Sequence, residues 1–125
     1  MKFKNMFSPI QIGPMTVKNR FVVPPMGNNF AKTDGTWSDE SVAYYAERAK
    51  GQFGLITIEA TVVHKGAKGG PRKPCLYDDN SIESLKKITD ACHAEGAKIS
   101  IQLQNAGPLS LIHISEPTRL GMISY

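Results

Sequence analysis

KNRFVVPPMGNN, running from Lys18 to Asn29, reads as a short buried strand with an abrupt end. Phe21 to Val23 is apolar and β-branched, the composition of a strand covered on both faces. Pro24 and Pro25 cannot donate to a sheet ladder, so pairing stops there. Met26, Gly27, Asn28 and Asn29 then open into a small, polar segment. In parallel α/β proteins, sites form at the carboxyl ends of strands, and this stretch has that character.

Two later segments repeat the pattern. Phe53 to Val63, FGLITIEATVV, is a near-continuous β-branched run, and Lys98 to Leu103, KISIQL, is a third strand that empties into Gln104, Asn105, Ala106 and Gly107. Between the first two strands, KTDGTW (Lys32 to Trp37) carries turn chemistry at Asp34-Gly35. Ser38 then offers a hydroxyl cap ahead of Asp39 and Glu40, where carboxylates oppose the helix dipole. Val42, Tyr45, Ala46 and Ala49 recur at helical spacing up to Lys50-Gly51. A second helix spans about Ser81 to Ala94, with Ile82, Leu85, Ile88 and Ala91 on one face and Gly96 as its stop. Ahead of all this, Ile10 and Ile12, then Gly13-Pro14, then Met15 and Val17 predict a small hairpin that covers something apolar.

The order is therefore hairpin, then β-α-β-α-β, which argues for a parallel sheet with right-handed crossovers. A doubly wound sheet and a (β/α)8 barrel compete. The first βα turn, PPMGNNF, lacks the glycine spacing of a dinucleotide-binding loop, so the barrel is favoured. A barrel needs about 250 residues, and the chain has 125. The expected fold is thus α/β, the amino-terminal part of a TIM barrel with about three βα units and a leading hairpin, truncated, in residues 1–108.

Residues 109–125, LSLIHISEPTRLGMISY, do not continue the pattern. Leu109, Leu111, Ile112 and Ile114 are strand-like before Glu116-Pro117 breaks the run. The stretch also resembles the conceptual translation of a transposase-type sequencing adapter. LSLIHISEPTR and ISY are its two fixed blocks, and Leu120, Gly121 and Met122 stand where three variable index codons fall. The expectation is a non-native, adapter-derived tail that needs no function for His113.

Bulk properties exclude several classes. The formal charge is +4, but Lys and Arg are scattered, with no basic run of the kind that binds nucleic acid. No apolar run approaches the roughly 18 residues of a membrane span. MKFKNMFSPIQIG has no apolar core of signal-peptide length, so the expected location is cytoplasmic. Cys75 and Cys92 lack CxxC spacing and read as reduced, passive thiols. His64 and His93 read as surface side chains, KGAKGG (Lys65 to Gly70) as a flexible solvated loop, and Asp78 and Asp79 as helix-entry residues.

Taken together, FSPIQIGPMTVKNRFVVPPMG, GLITIEATVV and ISIQLQNAG resemble the amino-terminal part of Old Yellow Enzyme-type NADH:flavin oxidoreductases. The likeness covers Phe3 to Gly107 and leans toward the larger branch with 2-enoate and 2,4-dienoyl-CoA reductases. It implies an FMN-dependent oxidoreductase that passes hydride from NADH or NADPH, through flavin, to the activated C=C bond of a small-molecule enoate or enoyl thioester. By position, Pro24, Pro25, Met26 and Gly27 would line one side of the isoalloxazine, Ala60 would contact it from the second strand end, and Gln102 would bond its pyrimidine edge. A primary amide offers donor and acceptor together, Met26 is polarizable, and small residues permit close backbone approach. The bland readings are a solvated cap for Gln102, plain core for Met26 and a turn glycine for Gly27.

Departures from the family are visible. The position after Pro-Met, often a flavin-tuning Thr or Cys, is Gly27. The usual His-Ala-Gly-Arg end is Asn105-Ala106-Gly107-Pro108. The substrate-anchoring pair, the catalytic tyrosine and the phosphate loops fall later in the family, so no catalytic or metal-binding residue is assigned. An iron–sulfur cluster, an FAD domain or an oligomer interface would also lie outside these residues.

Overall fold

The computed structural model describes residues 2–105; Ala106, Gly107 and the adapter-like stretch 109–125 lie outside the described residues. The element order is β1 (Ile10–Ile12), β2 (Met15–Val17), β3 (Val22–Val23), α1 (Asp39–Lys50), β4 (Leu55–Val62), α2 (Ile82–Ala94) and β5 (Lys98–Gln104). Short 3-10 turns sit at Lys65–Ala67 and Asp79–Ser81.

β1 and β2 pair antiparallel around Gly13, whose φ of +55° suits a residue without a Cβ. β3, β4 and β5 form a parallel sheet in that order. Helices α1 and α2 pack on one face, enclosing Val23, Tyr45, Ala49, Ile56, Ile58, Ile88 and Cys92. On the opposite face, Thr57 and Ser100 share a 2.7 Å hydroxyl hydrogen bond. This face is more polar, as suits residues that alternate with the core set along each strand.

Helix α1 begins as its sequence dictates: the Ser38 hydroxyl accepts the Ser41 N–H at 3.2 Å, and Asp39 and Glu40 fill the first turn. Gly96, with φ +75°, follows α2 and lets the chain reverse into β5. Asp78 accepts the Asn80 N–H at the entry to α2.

Three expectations need correction. The first strand is only Val22–Val23, because the Asn19 side chain, not a ladder partner, accepts the Phe21 N–H. The second begins at Leu55, and Phe53 instead joins Phe7 and Phe21 in an aromatic cluster with centroid spacings of 5.3 and 6.5 Å. KGAKGG is not simply a solvated loop: it holds a 3-10 turn with Ala67 buried, His64 caps that turn, and Lys68 Nζ donates to the Thr33 carbonyl.

The hairpin lies against the amino-terminal end of the sheet. A Cβ on Gly54 would meet Val17 Cγ1 at 2.6 Å and the Asn19 carbonyl oxygen at 2.8 Å. Backbone cannot yield as a side-chain tip can, so Gly54→Ala is expected to cost about 1–3 kcal/mol by overpacking. A lower urea midpoint at unchanged slope in the barrel-length protein is the expected reading; an unaltered midpoint would show that the hairpin is not clamped there.

Candidate functional site

The carboxyl end of the parallel sheet gathers the loops after β3, β4 and β5. The β4–β5 register slips there: Ile58 pairs with Ile101, but Thr61 pairs with Leu103. Glu59 and Ala60 therefore stand opposite Gln102 alone. This extra residue is a β-bulge, which interrupts the strict alternation of faces and re-aims side chains.

The bulge holds a buried carboxylate. Glu59 is 0% exposed, in a strand otherwise built of apolar residues, alanine and threonine. Its Oε2 accepts the Asn28 N–H at 3.2 Å, and its own N–H donates to the Tyr45 hydroxyl at 3.0 Å. Glu59 Oε1 and Asn28 Nδ2 are buried without a hydrogen-bond partner among the described residues. Burial pushes the Glu59 carboxyl up, against the opposing pull of the Asn28 N–H and the Lys73 charge. Burial likewise pushes the Tyr45 hydroxyl up to about 12, with the Glu59 charge adding to it.

The β3 end is fixed from the same place. Asn28 Oδ1 accepts the Phe30 N–H at 2.9 Å, and Asn29 adopts a left-handed φ of 59°, which asparagine tolerates better than most residues. Gly27 is not among the residues with positive φ, so no left-handed backbone demands a glycine there; the space at its Cβ position is tight. A Cβ there would meet Lys73 Nζ at 3.2 Å and Glu59 Oε2 at 3.9 Å.

Lys73 arrives on a pinned segment. Arg72 Nε donates to the Ala31 carbonyl, Val62 N–H to the Pro74 carbonyl, Cys75 N–H to the Gly35 carbonyl and the Ser81 hydroxyl to the Cys75 carbonyl. Neither Glu59 nor Lys73 was singled out from sequence. An acidic residue inside a β-branched run was the available signal for Glu59; Lys73 sits in an unpatterned loop and had none.

Of the expected site residues, Pro24, Pro25, Met26 and Gly27 follow β3, Ala60 sits in the bulge, and Gln102 faces that bulge from β5. Met26 is 59% exposed among the described residues. Gln102 is exposed and Ala60 half-buried. Among the described residues no group of three or more His, Cys, Asp or Glu side chains gathers as a metal site, and no helix is long and apolar enough to cross a membrane.

Comparison with known proteins gives this strand-end arrangement its family. The model of the NADH:flavin oxidoreductase / NADH oxidase family matches residues 5–117. The chain belongs to that family. Cinnamate reductase of Clostridium sporogenes is 36% identical over 107 residues, covering 82% of this chain and 16% of the relative. The solved complex of 2-naphthoyl-CoA reductase with 2-naphthoyl-CoA superposes with a TM-score of 0.81 at 34% identity, over 86% of this chain and 16% of that one. Old Yellow Enzyme of Trypanosoma cruzi superposes at 0.79 and 34% identity, over 96% of this chain and 33% of that one. The fold is accordingly part of an Old Yellow Enzyme-type TIM barrel, and the chain spans a third or less of these relatives' lengths.

The residues at the sheet end fit the flavin that the family name implies. An uncovered Met26 offers polarizable apolar surface, Gln102 an amide with donor and acceptor, and Gly27 and Ala60 low bulk.

Glu59 makes a pH-dependent contribution. A carboxyl whose folded value lies above its ordinary 4.5 adds stability in full below that pH, and this stability is lost as pH rises through the raised value. Glu59→Gln removes the dependence. Its stability relative to wild type should therefore climb with pH across that window, read by urea titration at several pH values; a flat difference would mean that Glu59 is not perturbed.

Proposed function

We propose that the barrel-length protein carrying this segment is an FMN-dependent ene-reductase acting on an enoate or enoyl thioester, with NADH or NADPH as reductant. The observation that carries this reading is the convergence of the Pro24–Gly27 end, the Glu59–Ala60 bulge and Gln102 at one end of a parallel sheet. Support for the substrate class comes from the similarity to a cinnamate reductase and to a reductase solved with an aryl-CoA.

FMN, when bound, supplies the hydride chemistry. The chain's own residues bind and position. Pro24, Pro25 and Met26 form an apolar wall, Gln102 presents its amide to a heteroaromatic edge, and Ala60 and Gly27 keep the approach open. Glu59 fixes the wall by holding the Asn28 N–H. Purified with added FMN, the barrel-length protein should carry flavin that NADH or NADPH reduces and an enoate or enoyl-CoA reoxidises without oxygen. Gln102→Leu should weaken FMN binding about tenfold, the value of one or two hydrogen bonds. A protein that takes up no FMN overturns the proposal.

The 125-residue chain alone is proposed to be catalytically inert. Among the described residues its sheet has three parallel strands where a barrel closes eight, and Leu103 on β5 is 63% exposed. Sequencing the gene across codon 108 should reveal barrel sequence in place of LSLIHISEPTR. A soluble 125-residue monomer with a cooperative melt and bound flavin would contradict the first statement, and a gene that encodes LSLIHISEPTR the second.

A further inference from the structure

The Lys73 ammonium lies where a side chain at position 27 would point, 3.2 Å from the place of its Cβ. Gly27 needs no special backbone angle, so its small size leaves this space for the cation. The Lys73 ammonium makes no hydrogen bond or ion pair among the described residues, while the neighbouring Glu59 carboxylate keeps Oε1 unpartnered. The main-chain bonds of Pro74 and Cys75 hold the lysine's backbone against β4, so the ammonium is delivered from a fixed segment.

We propose that Lys73 is a flavin-tuning residue of this protein: its ammonium, admitted by Gly27, faces the cofactor at the β3 strand end and favours the electron-rich reduced flavin over the oxidised form. This rests on the FMN reading above. A unit charge acts over several ångströms in a partly desolvated site with an energy that changes an equilibrium about tenfold or more.

The test is the midpoint potential of bound flavin in the barrel-length holoenzyme, measured by anaerobic dye-equilibration titration. Lys73→Met should lower the preference for reduced over oxidised FMN about tenfold, a fall of about 30 mV for a two-electron couple. Lys73→Arg should restore most of it. Lys73→Gln, which keeps a polar side chain without the charge, should lower the potential as Lys73→Met does. Equal potentials for wild type and Lys73→Met, with FMN bound in both, overturn the role of Lys73 and leave the flavin reading standing. Failure of the wild type to hold FMN overturns both. If Lys73→Met does not fold, the potential of Lys73→Gln decides: an unchanged value refutes the proposal.

Discussion

Between Ile58 and Thr61, β4 carries one residue more than β5 can pair. That mismatch shapes the end of the sheet. On one side of it, Ile56 and Ile58 are held in the core by α1 and α2. On the other, Thr61 and Val62 resume pairing one step out of phase. The residues caught between are Glu59, whose carboxylate is driven inward, and Ala60, whose small side chain leaves the strand end open. A regular ladder would keep strict alternation here, and the bulge supplies the change of direction.

The buried carboxylate then organises its surroundings. An unpaired charge in an apolar setting is costly, and Glu59 meets that cost in part through the Asn28 N–H and the nearby Lys73 charge. Those two contacts reach separate loops, one after β3 and one after β4. The loop after β3 is thereby held at its tip, which helps a segment that follows two prolines to keep a defined course. The Tyr45 hydroxyl accepts the Glu59 N–H, joining helix α1 to the same point. Helix packing and site geometry are therefore not independent: the residue that anchors α1 in the core also satisfies the backbone of the bulge.

At the opposite end of the sheet the logic is steric. Gly54 admits Val17 and Asn19 at distances that no Cβ would allow, and Phe7, Phe21 and Phe53 gather beside them. The hairpin covers an end from which no site residue projects. This division, packing at the amino ends and candidate site residues at the carboxyl ends, is usual in parallel α/β architecture.

Much of this was legible in the chain. Alternation between β-branched runs and helical periodicity specified a parallel βαβαβ order, and Ser38, Gly13, Gly35 and Gly96 marked caps and turns because their local chemistry acts over a few residues. Pro24-Pro25 ended a strand for the same local reason. The three strand-end motifs also named the family correctly. What only the tertiary structure decided depends on contacts between distant residues. The slip in register that buries Glu59 requires β5 to be paired with β4. The nearness of Gly27 to Lys73 requires a loop after β4, placed by hydrogen bonds to Val62 and Gly35. Short-range chemistry is written into neighbouring residues, whereas a charge's burial and partners exist only once the chain has folded back on itself.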